Sequence, residues 1–318
     1  MSMENSNRFI CALKCNDLET IREIPKADLH NHFVLGGSRE YIQSKTGYNI
    51  QPIKSVLHSM SEMHKWSDEN IGCRFNSKEM RKLLIEATFV QAKNDGISIL
   101  EIGEDVWGLS EFFSNDIDEL ITAFCTANQN IAPNIELRLQ IGLSRHCGTN
   151  YLIKQLDHFW GRKEFYSIDL YGDELAQPIE NFVPIYKKAK ENGLRLKAHI
   201  GEWGTAEDVR KGIELLSLDE VQHGIAAADS DEVINYLINH NINLNITPTS
   251  NFLLGRVADM KQHPIGKLFR AGVNVTINSD DILMFGSEVS KEYLALYNND
   301  VLTPCELNQI RVNSLCKL

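Results

Sequence analysis

Four short runs in the chain carry side chains that could do chemistry together. They are His30-Asn31-His32, His199 with Glu202 in LKAHIGE, Gln222-His223-Gly224, and Asn278-Ser279-Asp280-Asp281. Side chains alternate along a strand, so His30 and His32 would face one way and Asn31 the other. Two imidazoles on one face are a ready metal pair. Converged on one cavity, three imidazoles and a carboxylate supply four N/O ligands, a set suited to zinc. A Glu, a His and a second Asp would stay free beside it. A structural zinc site is closed and commonly sulfur-rich, whereas an N/O set with unused ionisable neighbours fits a catalytic one. Zinc lowers the pKa of a bound water from about 15.7 to about 7, making hydroxide available at neutral pH. Glu202 and His223 could then move protons.

These runs need elements that end at a common place. Eight segments rich in aliphatic and β-branched residues alternate with helix-like stretches: Ala27–Phe33, Ile97–Gly103, Ile135–Gly142, Phe165–Leu170, Leu194–His199, Glu220–His223, Ile242–Thr247 and Val273–Asp280. Strands alternating with helices imply parallel pairing. Helix signals between them are local. Thr205 can cap AEDVRKGIELL, and Asp229 or Ser230 can cap DEVINYLINH. In HPIGKLFRAG, Pro264 suits a first turn and Gly272 a helix end. Eight such units, with no GxGxxG opening a helix, predict an α/β fold of the (β/α)8 TIM-barrel type rather than an open doubly wound sheet. The polar runs sit at strand ends, where barrel active sites lie. The chain, residues 1–318, reads as one domain, with a helical lid over the C-terminal mouth at about residues 38–96 carrying Trp66 and Phe75.

Composition narrows the function class. Thirty-two Lys and Arg against 43 Asp and Glu give a net charge of −11, which opposes a nucleic-acid duplex as partner. A small-molecule site fits better. No apolar run approaches a membrane span and no leader-like start is present, so a soluble cytoplasmic protein is expected. Seven scattered cysteines without a CxxC pair suggest reduced, mostly buried thiols.

The chain resembles the adenosine deaminase family through KADLHNH (Lys26–His32), SIDLYGDE (Ser167–Glu174), KAHIGE (Lys197–Glu202), VQHG (Val221–Gly224), TPTSN (Thr247–Asn251) and NSDD (Asn278–Asp281), in family order. The resemblance implies one zinc per chain, with His30, His32, His199 and Asp280 as ligands. It implies that Glu202 donates a proton to the purine ring nitrogen beside the amino-bearing carbon. His223 would orient or deprotonate the attacking water, Asp281 would hold the five-membered ring, and the Gly172 backbone would approach the purine edge. A bridging lysine at the fourth strand, usual in two-metal relatives, is missing from SIDLYGDE. The HxE…PCxxC signature of another zinc-deaminase architecture is absent.

One departure bears on substrate. Nucleoside-acting relatives place an acidic residue two positions after the second strand-one histidine, and here that residue is Val34. The following Gly36-Gly37-Ser38-Arg39 could receive a 5′-phosphate through free amides, Ser38 and Arg39, or be a tight turn with a solvated arginine. The expected activity is therefore hydrolytic deamination of the 6-amino group of an adenine nucleoside or 5′-nucleotide. Free adenine or another aminated purine is the alternative, and a catalytically silent purine-binding or assembly subunit is the alternative of a different class. A homo-oligomer or protein partner stays open.

Overall fold

In the computed structural model, which describes residues 3–316, the eight segments form β1 (Lys26–Asp28), β2 (Ile97–Ile102), β3 (Glu136–Ser144), β4 (Phe165–Tyr171), β5 (Arg195–Ile200), β6 (Glu220–His223), β7 (Asn243–Ile246) and β8 (Asn274–Ile277). Each pairs in parallel with the next, in the order β1 to β8, with helices between them. The result is a nearly closed (β/α)8 barrel. Its seam, between β1 and β8, is made differently from the rest. The Asp280 amide donates to the His30 carbonyl at 2.9 Å, the Leu29 amide to Asn278 Oδ1 at 2.8 Å, and the Asn31 amide group to Ser279 Oγ at 3.0 Å.

The two seam strands are shorter than the sequence suggests. β1 stops at Asp28 because the next residues bond across to the β8 side, and the chain turns when the Leu35 and Gly36 amides both bond the His32 carbonyl. β8 stops at Ile277, and Asp280, at a left-handed φ of 63°, keeps only an isolated parallel bridge to Asn31.

Inside the barrel, Lys197 is fully buried and bonds Glu101 Oε1 at 2.8 Å and Glu220 Oε2 at 3.0 Å. Ser167 closes on Glu101 and Asn245 on Glu220, so this ionic layer is hydrogen-bonded on several sides. Burial would raise the Glu220 carboxyl, but the Lys197 charge wins and holds it down at about 2.

The helix ends follow local chemistry. Thr205 and Asp208 make a full capping box on Ala206–Leu216, and Ser230, not Asp229, caps Asp231–Asn239. Pro264 precedes Ile265–Ala271, which Gly272 ends at φ 103°. Replacing Thr205 by Ala should lower stability by about 1 kcal/mol, seen as a reduced midpoint of thermal unfolding.

Between β1 and β2 lie helices Arg39–Thr46, Met60–Asn70 and Lys78–Asn94. Among the described residues, no helix is long and apolar enough to cross a membrane. The cysteines are free, but six are exposed and only Cys147 is half-buried. Cys11, Cys125 and Cys305 stand on the outward faces of surface helices, where no core position was available to them.

Candidate active site

At the C-terminal ends of the strands three histidines and an aspartate meet. His30 Nδ1 bonds the Asn245 carbonyl at 3.0 Å, which aims Nε2 inward, where it is buried without a partner. His199 Nδ1 faces Asp169 Oδ1 at 3.3 Å, and its Nε2 lies 3.2 Å from His32 Nε2. Asp280 Oδ1 stands 3.6 Å from His32 Nε2 and 3.9 Å from His30 Nε2. Three groups in and beside this cluster, His30 with His32 and His199, His30 with His223 and Asp280, and His32 with Asp280 and Asp281, each have ligand atoms within 4.8 Å of one another. Facing ring nitrogens and an orphaned buried Nε2 are what a cation between them would satisfy, so the residues fit a zinc ion.

The electrostatics agree at His30 and Asp280 and run the other way at His199. Burial lowers His30 to about 3, keeping the neutral imidazole that a metal requires. Burial also pulls His199 down, but the Asp169 carboxylate outweighs it and leaves the ring raised. Burial raises Asp280, and the His30 and His32 rings bring it below its ordinary value, so it stays an anion.

Glu202 and His223 flank this cluster. Glu202 Oε2 is 3.6 Å from His223 Nε2, and Oε1 is buried without a partner. Burial first, then the Asp280 charge, pushes the Glu202 carboxyl up to about 8. Its loop is held by Glu174, whose carboxylate accepts from the amides of Gly201, Glu202, Trp203 and Gly204 at 2.7 to 3.2 Å. His223 Nδ1 is 3.0 Å from Thr247 Oγ1, and that hydroxyl donates to Asp280 Oδ2 at 3.3 Å. The Thr247 oxygen is then left to accept from Nδ1–H, so the basic nitrogen of His223 is Nε2. The Asn251 amide, 3.1 Å from Nδ1, agrees once its oxygen faces the ring, which also pairs an otherwise orphaned Oδ1. His223 and Asp280 both hold left-handed φ, 61° and 63°, a strain that functional positions carry.

These groups open into a cavity of about 410 Å³, within the range of small-molecule sites. It is lined by His32, His199, Glu202, His223, Asp280 and Asp281, among others, and by Gly172 at φ 90°. Asp281 is raised well above a normal carboxyl, by burial and by the Asp280 charge, and its Oδ1 has no partner.

Ser38 and Arg39 are not there. They line a separate surface cavity, where Ser38 caps its helix and Arg39 Nη2 donates to the Ile282 and Leu283 carbonyls. The glycine turn is not an anion cradle either. The Leu35, Gly36 and Ser38 amides are bonded within the chain. A Cβ at Gly36 would strike the Asn31 side chain, and one at Gly37 would strike Ala87. Packing accounts for the glycines, and Ser38 and Arg39 stand apart from the main cavity, as the tight-turn reading has it. Val34 does line the main cavity.

Sequence reasoning assigned no role to Asp169 or Glu174, although both lie in the SIDLYGDE run. Strand alternation could have found Asp169, which faces inward with Ser167 two residues before. Arg81, Glu104 and Trp107, also on the cavity wall, belong to no motif.

Known proteins resemble this chain in sequence and in fold. A putative adenosine/adenine deaminase of Treponema pallidum is 30% identical over 286 residues, covering 90% of this chain and 95% of that protein. The adenine deaminase of Arthrobacter aurescens superposes with a TM-score of 0.77 at 21% identity, over 92% of this chain and 94% of that one. An amidohydrolase of Burkholderia ambifaria with bound Zn gives 0.74 at 17% identity, over 99% and 87%. The sequence profile described as adenosine deaminase matches residues 77–317, and with the Treponema relative it shows that the chain belongs to the adenosine deaminase family.

Proposed function

We propose that the protein hydrolyses the 6-amino group of an adenine nucleoside or 5′-nucleotide, giving the hypoxanthine analogue and ammonia. The observation that carries this is a buried carboxyl, Glu202, 3.6 Å from His223 and beside an inward-facing cluster of three imidazoles and a carboxylate. In this reading His30, His32, His199 and Asp280 hold one zinc ion. When bound, zinc supplies a Lewis acid that makes hydroxide accessible at neutral pH. Asp169 fixes the His199 ring so that Nε2 is the nitrogen presented.

The chain's own residues then move protons. Glu202 gives its proton to the ring nitrogen next to the amino-bearing carbon, which makes that carbon electrophilic. His223 Nε2 takes a proton from the attacking water, and the His223–Thr247–Asp280 chain stabilises the charged ring. Asp281, kept neutral by burial, donates to the five-membered ring, and the Gly172 backbone meets the purine edge with no side chain in the way. His223 passes the water's proton to the amino group, the carbon–nitrogen bond breaks and ammonia leaves, while the water oxygen stays on the ring carbon and its remaining proton restores Glu202. Helices within residues 38–96 act as a lid on a single domain, through Met63 and His64.

A second reading, free adenine as substrate, is supported by the adenine deaminases among its relatives. A panel of adenine, adenosine, deoxyadenosine and their 5′-monophosphates, followed by loss of the adenine ultraviolet band with and without zinc, tests both. No turnover on any member in the zinc-loaded protein would refute the deaminase reading. His223→Ala should keep the fold and most of the metal while turnover falls by about 10² to 10⁴, measured as kcat alongside zinc content.

A further inference from the structure

One wall of the cavity is not used by the chemistry above. Arg81, on the helix Lys78–Asn94, is 3% exposed and lines the cavity. Its Nε and Nη1 have no hydrogen-bond partner. The ring centroids of Phe112, Trp107 and Phe33 lie 4.2, 5.4 and 5.8 Å from its Cζ, so aromatic faces hold it in place. The Glu104 Oε2 atom is 3.8 Å from Arg81 Nε, beyond hydrogen-bond range, and it too is unpartnered. Asp105, on the same wall, accepts from the Trp107 amide at 2.9 Å and is engaged by the Tyr171 hydroxyl. Gly108 leaves room for the Glu104 carboxyl, which a Cβ there would displace.

A desolvated guanidinium and a carboxyl that fall short of bonding each other are costly in the free protein, and they gain most from a ligand that serves both. The wall offers donors and acceptors together. A bare purine would leave them unserved. A 5′-phosphate only accepts, and it would bring its charge against Glu104 and Asp105. Hydroxyl groups donate and accept at once, and they carry no charge.

We propose that Arg81, with Glu104, is a specificity-determining residue that binds the hydroxyls of a pentose attached to the purine, making the protein select nucleosides over free bases and 5′-nucleotides. This rests on the deaminase reading, and it assigns the part of the cavity that the reacting base does not fill.

The test compares wild type with Arg81→Met, both zinc-loaded, in kcat and KM for adenosine, adenine and 5′-AMP. Calorimetry with inosine and hypoxanthine adds a readout that needs no turnover. Wild type should favour adenosine over both others. In Arg81→Met the adenosine-to-adenine ratio of kcat/KM should fall by about 10- to 200-fold, mainly through KM, and the preference for inosine over hypoxanthine should shrink in step. Glu104→Gln, which preserves shape, should lower the same ratio less, and it decides the matter if Arg81→Met does not fold.

Equal losses on adenosine and adenine would make Arg81 a packing residue and overturn the proposal. A wild-type preference for 5′-AMP that Arg81→Met abolishes would overturn it in favour of a phosphate site. If wild type deaminates nothing, the deaminase reading falls and calorimetry judges the pentose site alone. An inosine preference lost in Arg81→Met supports the site, and no inosine preference in wild type overturns it.

Discussion

His30→Ala should remove both bound zinc and turnover, the largest loss any single substitution in the cavity should produce. His30 is buried, neutral, and aimed by the Asn245 carbonyl so that its orphaned Nε2 faces the cluster. Truncation deletes one of four donors and leaves a void that water cannot fill with equal basicity. Second-layer changes around a metal typically cost 10- to 100-fold in affinity, and removing a ligand itself should cost more. Elemental analysis after reconstitution should drop from about one zinc per chain to a small fraction, with folding checked by circular dichroism. Retention of stoichiometric zinc by the variant would remove His30 from the ligand set. Two zinc ions in wild type would overturn the single-metal reading.

Glu202→Gln should separate binding from catalysis. Burial and the neighbouring Asp280 charge push the Glu202 carboxyl up to about 8, which favours the proton-donating form near neutral pH. Glutamine keeps its size, and its amide can still hydrogen-bond, but it has no proton to give. Zinc content and product affinity should stay near wild type while kcat falls by about 10² to 10⁴. Near-normal turnover would take Glu202 out of the mechanism. A parallel loss of zinc would instead place it among the ligands, against the 3.6 Å that now joins it to His223.

Much of this was legible because strand ends leave strong local marks. The β6 segment Glu220–His223 is delimited correctly by its aliphatic and polar pattern, and Thr205 by its capping chemistry. The ligand candidates, His30, His32, His199 and Asp280, were readable because imidazoles and carboxylates at strand ends have few bland explanations. The seam was less legible. His30 and His32 do share a cavity face, with rings 5.5 Å apart, but they reach it beyond the end of β1 rather than by strand alternation.

Other features could not be read in one dimension. Gly36-Gly37 could be read as an anion turn or as an ordinary one because glycine marks any tight passage, and only three-dimensional neighbours show that Asn31 and Ala87 require it. Arg81 is one arginine on an amphipathic helix. Nothing in its local spacing distinguishes it from the solvated arginines elsewhere, since its meaning comes from Phe112 and Glu104 on another helix and loop.

The β1–β8 seam also constrains when the protein can acquire its metal. Leu29 and Asn278 lie 249 residues apart in sequence, and the backbone bond from Asp280 to His30 spans a similar distance. Contacts of such separation form late, because the chain must surrender the entropy of a long loop before they repay it. A nascent chain carrying only the first five strands would present His30, His32 and His199 without Asp280, which follows β8. On the proposed metal site, capture should therefore follow barrel closure rather than nucleate it, so that a bound ion would lock a ring already formed and slow its reopening.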